Sequence, residues 1–264
     1  MRYIIYSALR NKELAYETLY SLLTVFADKR AAKEIKAVIY TNHKDTFMKE
    51  IEKNDYPHLD KVIFEEVADD TLAEWISDGY VYIVKIHVIR DFLYKYKANV
   101  LFIDSDMYIT GDLFTLFDLI EKSEFVMYTE RSSLINQYLI KIKIFDLFRS
   151  FAAVDDNLTK LNYKHYLSGS LGINREYGYI TDDAIRLCKR LFRYTRAQES
   201  EETAFSSIIQ NIGKVNTADD VMQDYSTIQI KRIFIGFAFG MYFDSDKSRI
   251  TRLLDISAWS FQGI

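Results

Sequence analysis

Between Tyr3 and Ile103 the sequence alternates short apolar, β-prone runs with longer stretches of helical periodicity. The apolar runs are residues 3–6, 35–40, 61–64 and 100–103. The helical stretches are residues 11–27, with Asn11 as the expected N-cap, 43–53 and 80–96. Strands that alternate with helices form mostly parallel sheets, because a helix is the usual crossover between parallel strands. We therefore expect an α/β fold with a mostly parallel, twisted sheet, helices on both faces, and ligands beyond the carboxyl ends of the strands.

The second half of the chain is less regular. Strand-like segments cover residues 124–128, 166–173 and 228–239, helical segments cover 182–196 and 202–210, and residues 134–151 are apolar and basic. No repeat and no proline-rich linker divides the chain. We therefore expect a single domain over residues 1–264 with an embellished C-terminal half.

Composition narrows the class of protein. Hydrophobic residues make up 49% of the chain, which is enough for a full core. The formal net charge of −4 argues against a nucleic-acid partner, which normally requires a basic surplus. The single cysteine, Cys188, forms no internal disulfide and no zinc motif, so the chain fits a reducing compartment. Because no apolar run is long enough for a signal-peptide core or a membrane span, we expect a cytoplasmic protein.

Two carboxylates, Asp104 and Asp106, follow the apolar run 100–103 directly. In an extended segment residues i and i+2 point the same way, so both carboxylates would face one cation. Oxygen ligands of this kind suit Mg²⁺ or Mn²⁺, which neutralise a diphosphate and help a nucleoside diphosphate to leave. The alternative is that both aspartates cap the turn before Gly111.

The stretch Val-Leu-Phe-Ile-Asp-Ser-Asp-Met-Tyr-Ile-Thr-Gly-Asp-Leu, residues 100–113, resembles the Asp-x-Asp segment of GT-A-fold glycosyltransferases, most closely the glycogenin and lipopolysaccharide galactosyl- and glucosyltransferase group. Other segments of the chain fit the same group in the expected order. They are Tyr6-Ser7 at the end of the first strand, Lys85 on the helix before the motif, residues 166–174 as a F-N-[SA]-G-x-x-x-x-N-like pattern, and residues 201–205 as a D-Q-x-a-l-like pattern.

The resemblance implies a metal-dependent transfer of a sugar from a nucleotide-sugar donor, UDP-linked in this group, to a glycan or glycolipid acceptor. It implies a nucleotide-binding half, residues 1–112, and an acceptor-binding half, residues 113–264. Mn²⁺ or Mg²⁺ would be held by Asp104 and Asp106. The expected donor contacts are Tyr6, Ser7, Asn42, Lys85, Ser105, Ser168 and Gly169, and the candidate catalytic carboxylates are Glu201 and Glu202.

Each of these residues has a plain structural alternative. Tyr6 either stacks on a uracil or ends a strand, and Asn42 either contacts the nucleoside or makes a turn. Lys85 either meets a phosphate or is solvated, and Ser168-Gly169 either lets a sugar approach the backbone or forms a bulge. Glu201 and Glu202 are either a base or charge stabiliser, or acidic residues in the first turn of a helix with Ser200 as its N-cap.

The sequence also departs from the group. Leu167 replaces an asparagine, Lys85 replaces an arginine, and the late His-x-x-Gly metal segment is absent, although a second Asp-Ser-Asp occurs at residues 244–246. Two other functions remain open. A sugar-phosphate nucleotidyltransferase would need a glycine-rich loop after the first strand, where residues 7–11 contain no glycine. A non-catalytic carbohydrate-binding protein would use the aspartates structurally.

Two basic segments, residues 134–151 and 185–196, interleave apolar residues with lysines and arginines. Such segments can dock on an anionic membrane surface, where a glycolipid acceptor would be presented. This indicates a peripheral membrane contact. The alternative is that both segments pack their apolar faces inward and leave solvated charges outside.

Overall fold

The structure, a computed structural model, describes residues 1–54, 56–133 and 164–225. The strands in these residues are β1 (Arg2–Ala8), β2 (Ile35–Thr41), β3 (Val62–Glu66), β4 (Val100–Ile103), β5 (Met107–Ile109), β6 (Phe125–Ser133), β7 (Lys164–Ile173), β8 (Val215–Thr217) and β9 (Met222–Asp224). The α-helices are α1 (Glu13–Phe26), α2 (Lys29–Glu34), α3 (Lys44–Asn54), α4 (Asp69–Trp75), α5 (Ile83–Tyr96), α6 (Leu113–Glu121), α7 (Ile180–Thr195) and α8 (Ser200–Gln210).

Seven of these strands form one sheet in the order β3-β2-β1-β4-β7-β6-β8, and β5 and β9 form a separate pair. The pairs β1–β2, β2–β3 and β6–β8 are parallel, whereas β6–β7 and β5–β9 are antiparallel. The predicted α/β class with a mostly parallel sheet is therefore confirmed.

The predicted elements among the described residues are present, with shifted ends. The third strand begins at Val62 because Leu59–Lys61 forms a 3-10 turn. The Asn11 side chain accepts a hydrogen bond from the Glu13 amide, but the N-cap position of α1 is Lys12, so the predicted cap was wrong by one residue. The predicted segments 134–151, 228–239 and 244–246 lie outside the described residues.

The chain divides into two compact units that interleave along the sequence. Within the described residues, the first unit comprises Met1–Val67, Ile103–Leu113 and the chain from Asp220, and the second comprises Ala68–Phe102 and Phe114–Asp219. The first unit contains strands β1, β2 and β3 with helices α1, α2 and α3. The second contains the paired strands β6, β7 and β8 with helices α5, α7 and α8.

Helix α1 packs in the first unit through a face that is mainly apolar but includes three buried serine and threonine side chains. Ala15, Leu19 and Leu22 are buried, and so are Thr18, Ser21 and Thr24. A buried hydroxyl loses its hydrogen bonds to water and must find another partner. These three side chains consequently bond to other parts of the unit.

Helix α7 in the second unit buries one face and exposes the other. Ala184, Leu187 and Leu191 are buried, whereas Arg186 and Arg190 are exposed. These three apolar residues therefore pack inward, as the alternative to membrane docking expects for residues 185–196, although Tyr194 is 54% exposed. No α-helix among the described residues is both long and apolar enough to cross a bilayer.

The segment after β5 runs very close to the segment before β9. The amides of Thr110 and Gly111 both donate to the carbonyl of Val221, at 2.8 and 2.9 Å. A Cβ atom on Gly111 would lie 3.0 Å from the Asp220 carbonyl oxygen and 3.1 Å from the Val221 Cα. Because both neighbours are backbone atoms, they could move away only if the main chain shifted. Glycine at this position permits the close approach of the two segments.

We expect Gly111→Ala to lower the free energy of unfolding by about 1–3 kcal/mol, because the added methyl group overpacks a backbone contact. Chemical denaturation measures this change. Gly178→Ala is the matched control, since its Cβ would meet the nearest atom at 3.4 Å, an ordinary contact. Equal stability of the Gly111→Ala variant and the wild type would show that the approach tolerates a side chain.

Candidate functional site

The Asp-Ser-Asp segment forms a tight turn between β4 and β5. The amide of Met107 donates to the carbonyl of Asp104 at 3.1 Å, which closes the turn. The prediction that Asp104 and Asp106 lie on an extended segment was therefore wrong, because a hydrogen-bonded turn follows β4 directly. Both aspartates are nevertheless half-buried, and Ser105 between them is buried. The turn thus leaves its two carboxylate residues in contact with solvent.

Neighbouring segments of the first unit form hydrogen bonds with this turn, mainly at Ser105. The Thr18 hydroxyl of α1 donates to Ser105 Oγ at 2.9 Å. The Tyr225 hydroxyl donates to the Ser105 carbonyl at 3.4 Å, and the Tyr225 amide donates to the Asp106 carbonyl at 3.2 Å. Ser105, predicted as a donor contact, is placed with its hydroxyl inside the protein, where it anchors the turn.

The two aspartates offer the kind of oxygen ligands that Mg²⁺ and Mn²⁺ prefer. In the described ranges no group of three or more His, Cys, Asp or Glu side chains is arranged to hold a metal ion. A magnesium-type ion is commonly bound by one or two carboxylates, with water and substrate phosphates completing its shell. Asp104 and Asp106 supply two carboxylates, the number of protein ligands that such a cation commonly uses.

The remaining predicted residues of the first unit lie at the ends of β1 and β2. Tyr6 is completely buried, its hydroxyl shares a hydrogen bond of 2.9 Å with Ser21, and burial raises its pKa. A ring without exposed surface cannot stack on a uracil, so the structure supports the alternative that Tyr6 is a core residue. Asn42 Oδ1 accepts from the amide of Arg10 at 2.9 Å. Because Arg10 has a left-handed φ of 73°, Asn42 stabilises a turn there.

Three predicted residues come together in the second unit. Lys85 on α5 donates from Nζ to the carbonyl oxygen and to Oγ of Ser168 on β7, both at 2.9 Å. The Ser168 hydroxyl donates to Glu201 Oε2 on α8 at 2.9 Å, and Lys85 Nζ lies 3.7 Å from the same oxygen. Lys85 is therefore not a solvated helical lysine. Its ammonium group belongs to a buried network with a carboxylate.

Burial determines the electrostatics of this network, which we call the Lys85–Ser168–Glu201 network. Glu201 is 2% exposed, and loss of hydration raises its pKa from 4.5 to about 7, although the Lys85 ammonium acts in the opposite direction. Its Oε1 atom has no hydrogen-bond partner among the described residues. A buried carboxyl group that titrates near neutrality is typical of groups that exchange protons in active sites.

Tyr80, which the sequence did not identify, anchors the backbone of Glu201. Its hydroxyl accepts from the Glu201 amide at 3.0 Å and donates to the Gln198 carbonyl at 2.5 Å. The Ser200 side chain donates to the Ala197 carbonyl instead of capping the helix, so the predicted Ser200 N-cap was wrong. The missed signal was a tyrosine ahead of α5, whose partner lies 121 residues away.

Glu202 and Gly169 occupy less buried positions of the same unit. Glu202 is half-buried, with Oε2 3.6 Å from Nε2 of the buried His165. Gly169 is half-buried and follows Ser168 on β7. Ser7, in the first unit, is half-buried near the end of β1. These residues keep enough exposure to contact a ligand.

Comparison with solved structures identifies the fold. The chain resembles the galactosyltransferase LgtC, solved with donor and acceptor sugar analogues, at a TM-score of 0.57 and 12% identity over 82% of this chain and 73% of that one. It resembles mouse xyloside xylosyltransferase 1 at 0.55 and 13%, over 82% and 85% of the two chains. The bifunctional glycosyltransferase WbbM gives 0.50 and 12%, over 82% of this chain and 38% of that one. No protein-family model and no curated protein matches the sequence.

These likenesses confirm the predicted GT-A glycosyltransferase fold. At 12–13% identity they show the fold alone. Folds host several activities, so the function has to be argued from the residues of this chain.

We expect Glu201→Gln to flatten the pH dependence of stability between about pH 4.5 and 7. The folded-state pKa of Glu201 is raised from 4.5 to about 7. The stability that it contributes is therefore complete below pH 4.5 and is lost as the pH rises through 7, a change of roughly 3 kcal/mol. Chemical denaturation across this range measures it.

Glu176→Gln, which removes an exposed carboxylate, is the control for loss of one charge. The interpretation fails if wild type and Glu201→Gln differ in unfolding free energy by the same amount at about pH 4.5 and about pH 8.

Proposed function

We propose that this chain transfers a sugar from a nucleoside-diphosphate sugar, UDP-linked, to a glycan or glycolipid acceptor, with Mn²⁺ or Mg²⁺ held by Asp104 and Asp106. One observation carries the proposal. A chain with the GT-A fold ends its buried strand β4 in a turn that leaves two carboxylate residues half-buried. Residues 1–112 would bind the nucleotide, and residues 113–264 the acceptor.

Asp104 and Asp106 would act on the donor diphosphate through the cation. Such a cation, held by these residues, would neutralise the diphosphate and stabilise the charge on the departing nucleoside diphosphate. Ser7 is half-buried and remains the proposed donor contact at the end of β1. Asn42 Oδ1 already accepts a hydrogen bond from the Arg10 amide. Asn42 can therefore contact the nucleoside only while it also stabilises that turn.

Glu201 is the proposed carboxylate near the reacting carbon. Its partners in the Lys85–Ser168–Glu201 network affect its pKa. A pKa of about 7 allows Glu201 to take up a proton at neutral pH as a general base. Its ionised form would stabilise an oxocarbenium-like charge if the reaction retains the anomeric configuration. Glu202 is the second candidate, and Gly169 would let a sugar approach the backbone because it has no side chain.

We expect Asp104→Asn and Asp106→Asn each to abolish Mn²⁺-dependent UDP binding while the fold stays intact. The amide is isosteric with the carboxylate but contributes no negative charge to the cation. Isothermal titration with UDP, with and without Mn²⁺, measures the effect, and a panel of nucleotide sugars tested for metal-dependent hydrolysis identifies the donor.

Asp91→Asn, at an exposed position of α5, is the control and should bind UDP like the wild type. Normal Mn²⁺-dependent UDP binding by either turn variant would refute the metal assignment. Absence of any UDP binding by the wild type would instead favour a carbohydrate-binding protein.

The proposed acceptor, if it is a glycolipid, is presented at a membrane, and α7 offers a basic surface for such contact. Arg186, Arg190, Arg193 and Arg196 are exposed, whereas the apolar face of the helix is buried. The contact would therefore be electrostatic, with anionic lipid headgroups, and would not involve insertion of the helix. The single cysteine supports a cytoplasmic location, on the membrane face that carries anionic lipids.

We expect anionic vesicles to sediment the protein at low salt and to release it as salt rises. Replacing Arg186, Arg190 and Arg193 by Gln should weaken binding on the order of 100-fold, since each basic residue near such a surface contributes about 1 kcal/mol. Replacing the exposed Lys12, Lys29 and Lys33 by Gln removes the same charge from other helices and should have less effect. No binding to anionic vesicles at low salt would exclude the membrane contact.

A further inference from the structure

Helix α1 carries a hydroxyl group that reaches the Asp104–Asp106 turn. We propose that Thr18 is a positioning residue for this turn, which it holds by its side chain in the arrangement that binds the cation. The inference rests on the metal site of the proposed function. It adds a residue that lies outside the turn.

The buried hydroxyl side chains of α1 divide their contacts between the core and the turn. Thr18 donates to Ser105 Oγ at 2.9 Å. Ser21, three residues later, shares its hydrogen bond with Tyr6 in β1. Thr24 accepts from the amide of Ile109 at 3.0 Å. Thr18 and Thr24 therefore hold the start and the end of segment 104–109 against one rigid helix, whereas Ser21 does not contact this segment.

The contact falls on the buried residue that stands between the two carboxylate residues. Ser105 stands between Asp104 and Asp106, and it is only 6% exposed, while its neighbours are half-buried. A turn that rotates to expose Ser105 would withdraw one or both aspartates. The bond to Thr18, which is itself 0% exposed, opposes that rotation. Ligands held in the binding geometry before the ion arrives bind more tightly, because no free energy is spent on ordering them.

Tyr225 also supports the turn, and it contacts only backbone carbonyl groups of the turn. Tyr225 donates from its amide to the Asp106 carbonyl and from its hydroxyl to the Ser105 carbonyl. Backbone contacts of this kind are available to any residue at position 105. The Thr18 bond, in contrast, requires a hydroxyl on both side chains. It is therefore the contact that a conservative substitution can remove without changing the turn itself.

The test compares three α1 variants for Mn²⁺ affinity in the presence of UDP, measured from the electron paramagnetic resonance signal of free Mn²⁺. Thr18→Val removes the donor at nearly constant shape and should weaken Mn²⁺ binding by up to about tenfold, the effect of one net hydrogen bond. Thr18→Ser keeps the hydroxyl and should restore affinity to within about twofold. Ser21→Ala breaks a buried bond one turn along the same helix and should leave Mn²⁺ affinity unchanged.

Hydrogen exchange of the peptide containing residues 104–109, without metal, gives a readout that does not depend on the proposed function. The Met107 amide, which closes the turn, should exchange up to about tenfold faster in Thr18→Val and at the wild-type rate in Ser21→Ala. If Thr18→Val yields too little folded protein, Ser105→Ala removes the acceptor of the same bond and takes its place in both measurements.

Different failures point to different errors. If Thr18→Val changes neither Mn²⁺ affinity nor exchange, or if Ser21→Ala weakens Mn²⁺ binding equally, Thr18 has no positioning role, and the metal site stands on the Asp104→Asn result. If Asp104→Asn keeps its Mn²⁺-dependent UDP binding, the metal site is wrong and the inference about Thr18 falls with it.

Discussion

Strand β4 is buried along its entire length, and this burial determines where the carboxylates of the candidate site can lie. Val100–Ile103 have no exposed surface. A charged side chain within the strand would lose its hydration without a compensating partner, at a cost of several kcal/mol. The first position at which a carboxylate keeps contact with water is therefore the residue after the strand. Asp104 occupies that position, and the turn gives Asp106 the same access.

The same burial explains how much of the fold the sequence predicts. Strands that are buried on both faces read as continuous apolar runs, so the ends of β2 and β4 were predicted to within one residue and those of β1 to within two. Strands β5, β8 and β9 have three residues each, too few for a periodic pattern. These short strands became visible only in the structure, where hydrogen bonds to distant segments define them.

The residues of the candidate site that match the order of motifs in the resembled group could be selected from the sequence. Contacts between distant segments could not. Resemblance selected Lys85, Ser168 and Glu201, which the structure joins in one network. A continuous apolar run does not say which residue faces a ligand, so the alternatives for Tyr6 could not be separated in advance. The partner of Ser105 lies 87 residues away on α1, and no local pattern indicates such a contact.

The two groups that hold Glu201 come from one short segment of chain. Tyr80 bonds the Glu201 amide, and Lys85, five residues later, lies beside the Glu201 carboxylate. Backbone and side chain of the glutamate are thus gripped by the same structural piece. A displacement of this segment would therefore act on the glutamate twice, once through its backbone amide and once through its counter-charge.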